Sequence, residues 1–310
     1  MRRAIRELGR GKLQSAIREV LEEHSNAQRQ GWDERQSALQ DENLRAGEGH
    51  ARGIETLQRE LHESMTAELS AVRAEVEALR GEVGALRGEL VGLELRARRD
   101  MYYSAEVTAA AESAQFVLAH LPTAPTFRSP EETQKHAAGL VSVPGSVLEF
   151  GVATGTTLRI LMAELPGRTV AGFDVFTGLP EDWRSGFPAG MFAQESLPDV
   201  PGAELVEGLF EDTLPGYLAE HAEQVALLHI DADLYSAAKT VLELVGPRLV
   251  AGSVVLFDEY FNYPGWQQGE HRAWQEYVEK TGLTFRYGGY TYDHEQMIVV
   301  VTGAEDSGQR

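Results

Sequence analysis

Two apolar runs of this chain end in acid. VALLHI at 225–230 is followed by Asp231 and Asp233, and SVVLF at 253–257 is followed by Asp258 and Glu259. Short runs rich in Val, Leu and Ile read as buried strands. Carboxylates at the end of such a strand are costly unless something pairs them. A strand running out into a solvated loop would account for one such end; a second of the same kind points to a shared counter-charge. A third strand end carries a different signal. Glu149 is followed by the small-residue turn Gly151-Val-Ala153-Thr-Gly155-Thr, and a helix begins just after it. Small residues there let a ligand approach the backbone at a helix N-terminus. A dinucleotide fingerprint would have a glycine where Ala153 stands. An acid at 149 suits a cationic ligand group better than a pyrophosphate. The next apolar run ends in Asp174, placed to accept from ribose hydroxyls.

The elements that must hold these residues follow from the alternation of patterns after residue 140. SVLEFGV, TVAGFDVF, AELVEG, VALLHID and SVVLFDEY read as strands, with helical patterns between most of them. TFRYGGYTY and EQMIVVVTG read as a closing hairpin. Strand–helix alternation means a parallel sheet covered on both faces, with ligands at the carboxyl ends of the strands. Residues 101–140 read as helices, one of them starting on a Ser129 cap with Pro130 in its first turn.

The first hundred residues are different. They contain no proline and one aromatic residue, Trp32, and most of the excess acid lies beyond them. Such a stretch reads as long helix. Leu69, Val76, Val83 and Leu90 fall at heptad position a, and Met65, Val72, Leu79, Leu86 and Leu93 at d. Val at a with Leu at d favours a parallel two-stranded coil, and Glu75–Arg80 and Glu82–Arg87 stand at the g and e positions that pair between chains. A homo-oligomer through residues 65–93 is expected. The polar stretch 24–54 is expected to be frayed helix or linker. The domain boundary is placed at 100, giving a helical region 1–100 and a globular domain 101–310.

The net charge is −20, which argues against nucleic acid or an anionic membrane as partner. There is no cysteine, so no disulfide framework or thiol site. With no apolar run of membrane-spanning length and no signal-peptide core, a cytoplasmic protein is expected.

VLEFGVATGTT, FDVFTGLPED and LLHIDADLYSAAKTVLELVGPRLVAGSVVLFDEY resemble the class I S-adenosylmethionine-dependent methyltransferases. The resemblance is nearest to the macrocin- and mycinamicin-type sugar O-methyltransferases, and covers about residues 100–303. It implies a doubly wound, mostly parallel Rossmann-like sheet of seven strands with an antiparallel C-terminal hairpin, here preceded by the coiled-coil segment. It implies S-adenosylmethionine contacts at Glu149, Gly151, Ala153, Thr154, Gly155, Thr156, Asp174, Asp212 and Asp231. It implies Mg²⁺ held by Asp231, Asp258 and Glu259, with Asp233 just outside that set. The acceptor would be a small molecule with a sugar or vicinal-diol hydroxyl, facing Tyr260, Tyr263 and Trp266 unless those aromatics are simply core. Catechol-type relatives carry a lysine base where this chain has Leu234, so the base would be Asp231 or His271. His229, inside its strand, reads as a core histidine. Two other readings stay open: an NAD(P)-dependent oxidoreductase, and a coiled-coil scaffold with a degenerate methyltransferase domain.

Overall fold

The computed structural model describes residues 2–45 and 51–304. The chain divides into two compact units, residues 1–92 and 93–310.

The first unit is helical. Helix α1 runs Arg2–Arg45 and α2 begins at Ala51 and continues to Arg99. The polar stretch expected to fray is helix as far as Arg45, and residues 46–50 of it lie outside the described residues. Trp32 Nε1 donates to Met65 Sδ within this unit. The heptad leucines stand open: Leu69, Leu79, Leu86, Leu90 and Leu93 are 41–60% exposed.

In the second unit α3 (Met101–His120) starts on Asp100, whose carboxylate accepts from the Tyr102 and Tyr103 backbone N–H. A two-residue strand β1 (Thr126–Phe127) precedes α4 (Pro130–Leu140), which Ser129 caps as the sequence indicates. Then come β2 (Ser146–Phe150), α5 (Thr156–Glu164), β3 (Val170–Asp174), β4 (Glu204–Glu207), α6 (Phe210–Glu220), β5 (Val225–Ile230), α7 (Tyr235–Val245), β6 (Leu249–Phe257), α8 (Glu270–Thr281), β7 (Leu283–Thr291) and β8 (Met297–Ala304).

These strands form one sheet in the order β1-β7-β8-β6-β5-β2-β3-β4. β8 runs against both its neighbours, and the other pairings are parallel. Seven strands and the hairpin are as the sequence implies. β1 is an addition, too short to carry an alternation pattern. The core alternates through the sheet as strand geometry requires. Val255, Phe257, Met297 and Val299 pack on the face shared with α3, α6, α7 and α8. Val254, Leu256, Ile298 and Val300 pack on the face shared with α4 and α5.

The chain leaves β2 toward β3 and β4 on one side and returns to β5 on the other. That reversal opens a crevice at the carboxyl ends of β2 and β5, where doubly wound sheets bind ligands.

Candidate active site

Parallel pairing continues one residue past each strand and fixes the acids side by side. The Asp231 N–H donates to the Phe150 carbonyl at 2.8 Å, and the Asp258 N–H to the Ile230 carbonyl at 2.8 Å. Asp233 adopts a left-handed φ of 58°. Ligand oxygens of Asp231, Asp233 and Glu259 lie within 4.8 Å of one another, and so do ligand atoms of His229, Asp231 and Asp258. Asp231 belongs to both groups. Asp258 and Glu259 fall in different ones, so the set implied by resemblance is divided, and Asp233 stands inside the cluster rather than beyond it.

Glu270, the first residue of α8, closes this arrangement from behind. Its two carboxylate oxygens accept from the Ala232 and Glu259 backbone N–H, both at 3.2 Å. It ties the two strand-end loops together, and no sequence motif marks it.

His229 is not an inert core residue. Nδ1 is 3.0 Å from Glu149 Oε2, and Nε2 is 3.8 Å from Asp258 Oδ1. Burial works against charge on this ring, but Asp258 and Glu149 outweigh it and hold the imidazole well above its ordinary pKa. Burial likewise opposes ionisation of Asp258, yet the adjoining His229 ring keeps that carboxyl below its ordinary value. Asp231 and Glu259 are pushed well up, first by burial and then by the Asp258 charge. Asp233 rises to about 7 for the same two reasons. The group Asp231–Asp233–Glu259 offers only oxygen donors, so it is the one suited to a hard cation.

The glycine turn lies across the crevice. Gly151 has φ 96°, and a Cβ there would sit 1.7 Å from the Asp231 carbonyl oxygen. Only glycine lets the ends of β2 and β5 approach this closely. Asp174 organises the turn itself: Oδ2 accepts from the Val152 and Ala153 N–H at 2.9 and 2.8 Å, and Oδ1 from the Phe176 N–H at 2.7 Å.

A cavity of about 840 Å³ fills the crevice, bounded by Gly151, Ala153, Asp174, Asp231, Asp233 and Glu259. The long connection between β3 and β4 roofs it with Leu179, Trp183, Arg184, Phe187 and Phe192. Arg184 is held over the rings of Trp183 (3.9 Å) and Tyr263 (4.7 Å) and reaches both Glu295 oxygens at 3.1 and 3.2 Å. Sequence reading passed over this roof, although a long stretch without helix between two strands is unusual in a compact domain.

Other expected contacts fall elsewhere. Glu149 is buried and accepts from Thr157 Oγ1 at 2.8 Å as well as facing His229. Thr154 and Thr156 are exposed and lie 3.0 Å apart, hydroxyl to hydroxyl. Gly155 is the left-handed N-cap of α5. Asp212 is exposed in the first turn of α6, while its neighbours Leu209 to Glu211 line the cavity. Tyr260 is core, bonded to the Tyr287 hydroxyl at 3.0 Å. Trp266 packs edge-on to Phe116. Of the three aromatics, Tyr263 alone reaches the roof, through Arg184. His271 sits among Phe116, Tyr260 and Trp266, ring centroids 4.8–5.4 Å away, and burial lowers it to about 4. His271 is half-buried among these rings and is not among the residues lining the carboxylate crevice.

Residues 148–260 match the family described as "Methyltransferase domain". The chain is 28% identical over 169 residues to a mycinamicin III 3''-O-methyltransferase from Micromonospora griseorubida, a match covering 46% of this chain and 63% of that relative's length. Among solved structures it is similar to CalS11, a TDP-rhamnose 3'-O-methyltransferase of calicheamicin biosynthesis (30% identity, 55% of this chain and 78% of that one, TM-score 0.40). It is also similar to the O-methyltransferase NovP (23% identity, 56% and 79%, TM-score 0.41). The matched segment runs from β2 and its glycine turn to the carboxylates after β6, and it is a methyltransferase domain.

Proposed function

We propose that this chain moves a methyl group from S-adenosylmethionine to a hydroxyl of a sugar or other vicinal-diol small molecule, with Mg²⁺ bound at the strand-end carboxylates. The observation that carries the reading is the convergence of Asp231, Asp233 and Glu259 on the wall of the same cavity that Gly151 and Asp174 bound.

The residues fit a hard cation. Their donors are oxygens, Glu259 Oε2 is buried without a hydrogen-bond partner, and burial with mutual repulsion leaves the cluster in need of positive charge. Asp231, Asp233 and Glu259 would hold it, with Asp258 fixed beside them by His229. Mg²⁺ there would make a nearby acceptor hydroxyl easier to deprotonate. The chain does the rest. The glycine turn and the Gly208–Glu211 segment receive the cofactor, and the aromatic roof keeps water out. One carboxylate of the Asp231–Asp233 pair takes the hydroxyl proton. The freed oxygen then bonds to the methyl carbon as the carbon–sulfur bond breaks, leaving S-adenosylhomocysteine. Much of the rate would come from holding donor and acceptor in line.

The test is calorimetry with S-adenosylmethionine and with NAD(H), followed by labelled methyl transfer into cell extract. S-adenosylmethionine alone is expected to bind. Transfer is expected to stop after chelation and to return with Mg²⁺ or Mn²⁺ but not to need zinc. Full transfer in excess chelator after exhaustive dialysis would remove the metal from the mechanism, and NAD(H) binding alone would replace the whole reading.

We also infer that residues 65–93 join two copies of the chain as a parallel coil. The seam extends over roughly 43 Å of helix, and its leucines are open to solvent in a single chain. Exposed Glu–Arg pairs contribute at most about 1 kcal/mol each, so the apolar positions dominate. Leu79→Asp with Leu86→Asp is expected to dissociate the full-length protein in light scattering while S-adenosylmethionine affinity holds. An unchanged mass would mean that the seam does not join subunits.

A further inference from the structure

A second cavity, of about 510 Å³, lies on the far side of the carboxylate cluster and shares Arg184 and Glu259 with the first. Its walls come from α3, the end of β6 and the turn between β7 and β8. Its charge is one-sided. Glu106, Asp258, Glu259, Asp293 and Glu295 line it, against Arg184 and His294. Arg184 is already committed to Glu295, and His294 Nδ1 is 3.0 Å from Asp293 Oδ1. Among the described residues, no hydrogen bond or ion pair engages the Glu106 carboxylate.

Two buried acceptors in its wall lack donors. Gln296 is 5% exposed; its Nε2 donates to Asp258 Oδ2 at 3.1 Å, and its Oε1 has no partner. Glu259, 7% exposed, has an unpartnered Oε2. Glu259 Oε2 is taken by the cation proposed above; buried acceptors are normally satisfied, so Gln296 Oε1 is the one that calls for an N–H or O–H donor from a ligand. Val107 and Ala110 give the same cavity an apolar side able to take a sugar's C–H face. A phosphate would meet acceptors and negative charge. An ammonium would supply three donors and the missing positive charge.

We propose that this cavity is the acceptor subsite and that it selects a polyhydroxylated acceptor carrying a protonated amine, an amino sugar rather than a sugar phosphate. The proposal rests on the methyltransferase reading above. A divalent cation at the cluster would offset Asp258 and Glu259 only in part, since Asp231 and Asp233 share it, and Glu106 and Asp293 remain to meet the amine.

The experiment uses the full chain with Mg²⁺ and S-adenosylhomocysteine, at a pH where the amine is charged. Calorimetric titrations compare D-glucosamine, N-acetyl-D-glucosamine and glucose 6-phosphate. Glucosamine is expected to bind about tenfold tighter than its N-acetyl form, a difference the loss of one ion pair with its hydrogen bonds can supply. Glucose 6-phosphate is expected to bind weakest. Glu106→Gln with Asp293→Asn should erase the preference and leave S-adenosylhomocysteine affinity unchanged. Equal affinities, no sugar binding, tighter phosphate binding, or a preference that survives the double substitution overturns the proposal alone. Failure of S-adenosylhomocysteine to bind at all overturns the methyltransferase reading, and this proposal with it.

Discussion

Asp231→Asn is expected to lower methyl transfer by at least about three orders of magnitude, because it removes a charge common to metal holding and proton removal. Loss of a positioned base alone costs about 10²–10⁴-fold. Asp231 belongs to both ligand groups, which no other residue of the cluster does. The amide is isosteric, and it cannot accept a proton or offer two anionic oxygens. The fold should not suffer. Asp231 is a buried acid crowded by Asp258, Asp233 and Glu149, with only His229 against them. Neutralising it relieves repulsion, so the melting temperature is expected to hold or rise, the trade between activity and stability seen at strained sites. Rates of labelled transfer and a thermal melt read the two halves separately. A variant that transfers methyl at near wild-type rate would place the chemistry away from the end of β5. A dead variant that has also unfolded would say nothing against it, so Asp233→Asn accompanies it: with its carboxylate in the same group, it is expected to lose about a hundredfold or more while staying folded.

Gly151→Ala is expected to destabilise the protein by about 4 kcal/mol or more, the range reserved for severe single changes. The added methyl would stand 1.7 Å from the Asp231 carbonyl oxygen, a backbone atom of a residue whose own N–H is bonded to the Phe150 carbonyl, so it cannot swing aside as a side chain would. A positive φ of 96° adds its own penalty. Gly167 is the control. Its φ is 81°, with nothing within 4 Å of where its added methyl would stand, so Gly167→Ala should cost only about 1 kcal/mol from backbone conformation. Denaturant midpoints of the two variants give the comparison. Equal losses would mean that the ends of β2 and β5 have room to part.

Much of the sheet was legible because its strands are apolar runs bounded by small and acidic residues. Their carboxyl ends could be named from sequence alone, and the acids there do converge. Three features needed the fold. Glu149 and His229 are directly paired residues of adjacent strands, yet 80 positions apart, so the ion pair exists only once β2 and β5 are in register. Asp233 lies past the end of β5, where no strand pattern fixes its direction, and its left-handed backbone is seen only in the folded loop that brings its carboxylate to Asp231 and Glu259. His271 stands near a helix start and beside Glu270, but neighbouring positions on a helix point about 100° apart, so one meets the site and the other the aromatic core. The roof between β3 and β4 carries no periodicity for sequence reading to catch.

The three N–H groups that Asp174 accepts have a consequence for affinity. A flexible glycine-rich segment that must be organised by its ligand charges the binding energy for that ordering. Here one carboxylate has already drawn the Val152, Ala153 and Phe176 amides into place, with both of its oxygens engaged. Under the proposed function the methyl donor would meet a finished receptor, and its contacts would go to affinity instead of to folding the wall they touch.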